Sequence, residues 1–165
     1  MIAWLKKYLL ILVFFALANS LHAQTPGIRH VTISEGGESI KISILFKNNR
    51  GFIYAGTSKG LYKFDGIKFT LISFQNTPAN PTVTSIFQDH ENKLWVGLQT
   101  GDIAKLINNK LKLFVPAEGT PKTAINTFIE DRDKNIWFAT DCEGIYYFSV
   151  KNISNITPYI VLMAH

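Results

Sequence analysis

Four groups of residues have types that could do chemistry. Asp131-Arg-Asp-Lys-Asn135 sets oxygen ligands at alternate positions, the spacing that opens a calcium loop. Such a loop also needs a glycine at its sixth position and a glutamate at its twelfth. Here those positions hold Ile136 and Cys142, and Asp89-His-Glu-Asn92 breaks the alternation altogether. Both segments are therefore read as Asp/Asn turns leading into a strand, and no metal is expected. His30 and His90 lack a second His, Cys or Asp at ligand spacing, which assigns them to surface turns rather than to general-base work. Cys142 is the only cysteine, so it forms no internal disulfide, and its neighbours Asp141 and Glu143 disfavour a reactive thiolate. No Ser-His-Asp set and no glycine-rich phosphate loop is visible, and the acidic residues are too few and too turn-bound to nominate a glycosidase pair. The sequence nominates no catalytic residue and no cofactor.

Positioning such residues requires a folded core, and the composition supplies one. Aromatics make up 13% of the 165 residues and charged residues only 18%, which excludes disorder. The net charge of +5 is spread thinly, with Lys6-Lys7 the one adjacent basic pair, so nothing resembles a nucleic-acid stripe. Those two lysines precede an apolar run over 8–18, then Asn19-Ser20 and Leu21-His22-Ala23. Positive charge, a short apolar core and a small terminal residue predict a secretory signal peptide, helical over 1–23 and cleaved between Ala23 and Gln24. The run is shorter than the roughly 20 apolar residues that span a bilayer, which leaves an uncleaved anchor as the alternative. No cysteine follows it for lipid attachment. The chain is expected to leave the cytoplasm.

Beyond residue 40 the sequence repeats. Tyr54, Trp95 and Trp137 fall in one column, spaced by 41 and 42 residues. Around them align Asn48-Asn-Arg-Gly51 with Asp89-His-Glu-Asn92 and Asp131-Arg-Asp-Lys134, and further on Gly60-Leu61, Gly101-Asp102 and Gly144-Ile145. Each unit holds four short runs rich in Ile, Val, Phe, Tyr and Leu, in the first unit over 40–46, 52–55, 61–64 and 68–72. Asp65-Gly66 and Asn108-Asn109 suit two-residue hairpins. No stretch after the apolar leader shows helical periodicity. Leu94-Trp95-Val96-Gly97 and Ile136-Trp137-Phe138-Ala139 are apolar at consecutive positions, as in strands covered on both faces. Four antiparallel strands in each unit of some 42 residues predict an all-β fold of propeller blades. The boundaries are a lead-in over 24–39, repeats over 40–76, 77–119 and 120–156, and a tail over 157–165 that starts a further blade. The proline-rich stretches over 77–81 and 115–121 are the crossovers.

These residues resemble the two-component regulator propeller repeat. The resemblance rests on Tyr54, Gly56, Thr57, Gly60 and Leu61 in the first unit, on Asp89, Trp95, Gly97 and Gly101 in the second, and on Asp131, Trp137, Thr140, Gly144 and Ile145 in the third. It covers about residues 28–150. Tyr54 departs from the usual Trp, Leu98 from Thr, and Asp102 stands in the Gly column. The resemblance implies the periplasmic sensor region of a bacterial, often hybrid, sensor histidine kinase. Further implied are a small extracellular ligand, such as an oligosaccharide, and a tie to the inner membrane only through parts beyond residue 165. The kinase would also lie beyond that residue, so the chain is expected to be a truncated segment without enzyme activity. Three blades are too few to close a ring, and each open face, on the order of 300 Å², invites self-association. The alternatives are a secreted adhesion or carbohydrate-binding propeller and, further off, a propeller lyase. Ligand contacts in such a ring come from loop ends, where Tyr62, Tyr146, Tyr147 and the proline loops are candidates. Trp95 and Trp137 are expected to pack rather than stack on sugars.

Overall fold

The computed structural model of the protein describes residues 4, 6, 30–35, 37–75, 80–116, 119–150 and 152–159. The chain divides into a unit Met1–Val31 and a unit Thr32–His165. In the first, Trp4 and Lys6 are helical. The rest of the expected signal peptide, with its junction of Ala23 and Gln24, lies outside the described residues.

The second unit opens on a hairpin of β1 (Ser34–Glu35) and β2 (Glu38–Ser39). Three four-stranded antiparallel sheets follow, each a meander in chain order. The first comprises β3 (Ile42–Lys47), β4 (Ile53–Thr57), β5 (Gly60–Phe64) and β6 (Phe69–Ile72). The second comprises β7 (Val83–Gln88), β8 (Leu94–Leu98), β9 (Ile103–Ile107) and β10 (Lys110–Phe114). The third comprises β11 (Ile125–Glu130), β12 (Asn135–Thr140), β13 (Ile145–Ser149) and β14 (Asn152–Tyr159).

Alternate side chains of a strand point to opposite faces, so each middle sheet face needs its own apolar set. Tyr54, Leu61 and Ile72 of the first sheet pack with Val83, Ile86, Val96 and Leu111 of the second. The other face of the second sheet presents Trp95 and Ile103 to Ile125, Phe128, Phe138 and Phe148 of the third. Trp95 and Phe148 meet with ring centroids 5.0 Å apart, and Phe114 closes the group at 5.1 Å from Phe148. The far face of the first sheet is covered by the lead-in, where Ile33 and Ile40 lie on Ala55, Tyr62, Phe69 and Leu71.

The consecutive apolar residues are explained by this stacking. All five residues of β8, in the middle sheet, are buried. In β12 burial alternates, because only one face of the third sheet is covered among the described residues. Trp137 on that outer side is accordingly half-buried, whereas Trp95 is fully buried.

Three details differ from the sequence expectation. The first hairpin loop is Gly66-Ile67 rather than Asp65-Gly66. The Asp65 carboxylate accepts the N–H groups of Ile67 and Lys68, both at 2.8 Å, and Asp65 N donates to Lys68 O, so this residue closes the loop from outside. The third repeat does not stop at 156. Its last strand runs to Tyr159, in register with Ile145, and its position at the sheet edge tolerates Pro158. The first crossover also begins before residue 77. Leu111 N donates to Ser73 O and Gln75 N to Leu111 O, laying residues 73–75 along β10 and shielding that outer edge. The Asn108-Asn109 hairpin is as expected, with φ of 48° and 60°.

Candidate functional site

One polar device recurs at the turn between the first two strands of each sheet. Asp89 N donates to Lys93 O, and its Oδ1 accepts Lys93 N at 2.8 Å, which closes the turn. Its Oδ2 accepts the indole N–H of Trp95 at 2.8 Å, inside the core. Asp131 repeats both roles, with Oδ1 on Asn135 N at 2.8 Å and Oδ2 on the Trp137 indole at 2.7 Å. The fourth residue of each turn takes positive φ: Gly51 at 84°, Asn92 at 64° and Lys134 at 70°. Only the first turn uses the residue that does this without steric cost. The Trp137 indole, together with Asn135, holds the Asp131 carboxyl down at about 2, well below its ordinary 3.8. Both oxygens of Asp131 are thus engaged within the blade, Oδ1 by the turn and Oδ2 by the Trp137 indole and the Asn135 amide.

The next turn is fixed by threonine. Thr57 Oγ1 donates to Gly60 O at 2.8 Å, and Thr140 Oγ1 donates to Gly144 O at 2.9 Å. Leu98 has no hydroxyl for this, and in that sheet Thr100 Oγ1 donates instead to Asp102 Oδ2 at 2.8 Å.

A second recurring device ties neighbouring sheets. Asn49 N donates to Gln88 Oε1 at 2.9 Å, and one repeat later His90 N donates to Glu130 Oε2 at 3.1 Å. The His90 imidazole also contacts Glu130 Oε1. His90 lies in an exposed turn, as expected, and there joins two sheets. Ser85 Oγ adds a buried bond to Ile125 O at 2.7 Å.

The first sheet departs from the pattern as a pair of changes. Asn48 replaces the aspartate and caps the turn by accepting Phe52 N at 2.9 Å and Arg50 N at 3.1 Å. Tyr54 replaces the tryptophan. Where Trp95 fills the space in the next sheet, a cavity of about 200 Å³ opens here between the first and second sheets, lined by Arg50, Phe52, Tyr54, Lys63, Leu94 and Leu106 and edged by amides. Lys63 Nζ sits 3.9 Å from the centroid of the Phe52 ring. Burial pushes the Tyr54 hydroxyl above its ordinary value, only partly offset by Arg50, so it remains a neutral donor.

Residues 77–100 and 119–142 match the two-component regulator propeller family. Both segments carry the aspartate–tryptophan lock. They are two-component regulator propeller repeats. No curated protein matches the sequence. Among solved structures, the chain is similar to the extracellular domain described as that of a hybrid two component system, BT3049, from B. thetaiotaomicron. The two are 22% identical, with a TM-score of 0.64 over 83% of this chain and 20% of that one. A second such domain from B. thetaiotaomicron, described as that of a one component system, BT4673, is 19% identical, with a TM-score of 0.62 over 80% and 17%. Virginiamycin B lyase from Staphylococcus aureus is 14% identical, with a TM-score of 0.64 over 86% and 47%. The chain spans about a fifth or less of the two extracellular domains and under half of the lyase. At these identities the likeness is one of fold, and the three sheets are propeller blades.

The propeller places the tyrosines named from the sequence on three separate surfaces. Tyr62 is buried beneath Ile33 on the outer face of the first blade. Tyr146 stacks on Phe138 between the second and third blades, with centroids 5.4 Å apart. Tyr147 stacks on Trp137 at 4.7 Å, on the outer face of the third. They do not form one site. Gly56 and Gly97 are small because the next blade crowds them: a Cβ would lie 2.6 Å from Val83 Cγ1 in one case and 2.8 Å from Ile125 Cβ in the other. Arg50 and Lys63 were not distinguished by type in the sequence. The signal that could have found them is the joint change of Asp to Asn and Trp to Tyr in a single repeat.

Proposed function

We propose that this chain is a ligand-sensing propeller segment of a two-component sensor histidine kinase, working outside the cytoplasmic membrane and without kinase activity of its own. The observation that carries this reading is the pair of two-component regulator propeller repeats, in register and each bearing the aspartate–tryptophan lock. The extracellular domains with the same fold support it. The blades supply a rigid scaffold on which loop ends and blade seams present binding groups, and Asp89, Asp131, His90 and Glu130 are engaged in turns and clamps.

The test is the genomic DNA beyond codon 165. Further repeats, a membrane helix and a histidine kinase, in the same frame or behind a single frameshift, are expected. An unrelated gene or an intergenic region there would overturn the sensor reading and favour a secreted binding propeller.

A further inference from the structure

A second depression, of about 330 Å³, lies on the first blade itself, where the turn before β4 meets the hairpin after β5. Arg50, Phe52, Ile53, Phe64 and Asp65 line it. Tyr54, Trp95 and Trp137 pair across their sheets with Lys63, Lys105 and Tyr147, which fixes the equivalent positions of the three blades. Counted from those pairs, the second blade has Glu91, Lys93 and Ile107 where the first has Arg50, Phe52 and Asp65, and the third has Asp133, Asn135 and Ser149. In the second blade Glu91 and Lys93 satisfy each other as an ion pair. The first blade reverses one charge of that pair, replaces the other with an aromatic ring, and adds a carboxylate that neither other blade has. All three departures line one depression.

Arg50 and Asp65 share this depression without forming an ion pair. No side-chain bond engages the Arg50 guanidinium among the described residues. Asp65 Oδ1 accepts the N–H groups of Lys68 and Ile67, both at 2.8 Å, and these bonds hold its carboxyl below the ordinary value, so it stays ionised at neutral pH. Its Oδ2 has no partner among the described residues. The wall between the two charges is apolar. Phe64 rests on Phe69, with ring centroids 4.9 Å apart, and Phe52 keeps 40% of its surface exposed.

We propose that this depression binds a free α-amino acid with an apolar side chain. Arg50 would take the α-carboxylate in its guanidinium fork, Asp65 Oδ2 would accept the α-ammonium, and Phe52, Ile53 and Phe64 would cover the side chain. A simple acid would meet the repulsion of Asp65, and a simple amine that of Arg50. A neutral polyol would cover both charges and satisfy neither. One unpaired cation, one unpaired anion and an apolar wall are the complement of a zwitterion. The volume falls at the lower end of small-molecule sites, which suits one residue rather than a peptide. The inference rests on the sensor reading only for the role of the bound molecule, and its test is independent of the downstream DNA: a failed titration would leave the repeats and their continuation untouched.

Titration of the intact chain by calorimetry with L-phenylalanine, N-acetyl-L-phenylalanine, L-phenylalaninamide and glycine decides it. Saturable binding of phenylalanine is expected, at least about ten-fold tighter than that of the acetylated acid, which lacks the ammonium, of the amide, which lacks the carboxylate, and of glycine, which lacks the side chain. Arg50→Gln and Asp65→Asn should each weaken it about ten-fold or more. Asp65→Asn keeps a side-chain oxygen for the two backbone N–H groups, so its hairpin and melting temperature should hold. The double variant Arg50→Glu, Phe52→Lys rebuilds the ion pair of the second blade. It should lose binding with its melting temperature unchanged, which separates loss of the site from loss of the fold. No binding of phenylalanine, equal binding of any of the other three, or full binding by the double variant would each overturn the proposal.

Discussion

The aspartate–tryptophan lock is one interaction with two burial regimes, and its consequences divide accordingly. Asp89 is 2% exposed and Trp95 0% exposed. Asp89→Ala leaves the indole N–H without an acceptor in a dry core, at a cost of about 1–3 kcal/mol, and opens the turn as well. Asn48→Ala opens the turn alone, since Tyr54 presents no buried indole, so urea denaturation should show the smaller loss there. In the third blade the lock is titratable. The Asp131 carboxyl is depressed from 3.8 to about 2 by the Trp137 indole first and Asn135 next. Its contribution is therefore fully present above the ordinary carboxylate range and fades as pH falls from about 4 towards 2. Near-UV circular dichroism should record an acid transition in that window, and Asp131→Asn should lose that component. A wild type with no change in that range would contradict the assignment. Both aspartates were legible as turn residues from spacing alone. Their bond to the tryptophan six residues on was not, because a turn signal says nothing about which side chain the free carboxylate oxygen faces.

The blades are fixed by features with a period of about 42 residues that differ in how plainly they are written. Strand runs and the Asn108-Asn109 turn follow from composition and were legible. The bulge that shifts register between Ile42 and Ile44, Val83 and Ser85, and Ile125 and Thr127 was not, since a β-branched or polar residue fits pleat and bulge equally well. That bulge matters for packing, because Ser85, beside it, donates to Ile125 O of the next blade. Opposite it lies the small-residue column. Gly97→Ala would set a Cβ 2.8 Å from both Cβ and Cγ2 of Ile125, atoms of a β-branched residue that is itself fully buried. Overpacking of this kind costs about 1–3 kcal/mol, and Ile125→Val in the same chain should recover little, because Cβ and Cγ2 remain. A Gly97→Ala variant as stable as wild type in urea would show that the blades slide apart more easily than this packing implies. Glu130→Ala, which removes the acceptor for His90 N and its imidazole, should cost less, about 1 kcal/mol, since that clamp lies at the solvent edge.

The molecule is asymmetric along its stack of blades. At one end Ile33 and Ile40 cover the first blade, though Leu45 stays 62% exposed there. At the other, Ile129 is 63% and Ile145 36% exposed on the outer face of the third, beside the stacked Trp137 and Tyr147. Three repeats led to the expectation of two open faces, and the lead-in packs on one of them. The sequence did not show this, because Ile33 and Ile40 belong to no repeat and their destination depends on the tertiary fold. The remaining face is on the order of 300 Å², and burying it recovers on the order of 8 kcal/mol. Two such faces meeting remove on the order of 600 Å² in all, below the roughly 1,000 Å² of a stable interface, and the loss of translational and rotational freedom on association is of similar size to the gain. The balance predicts weak, concentration-dependent self-association through the third blade rather than a fixed dimer. Sedimentation velocity should show a monomer at low micromolar concentration and a shift to larger species as concentration rises. Ile129→Glu puts a charge on that face, in the row it shares with Trp137 and Tyr147, and should hold the chain monomeric across the same range without lowering its melting temperature. If Ile129→Glu associates as wild type does while Leu45→Glu stays monomeric, the contact runs instead through the first blade, and the covering of that blade by Ile33 and Ile40 is weaker than its burial suggests.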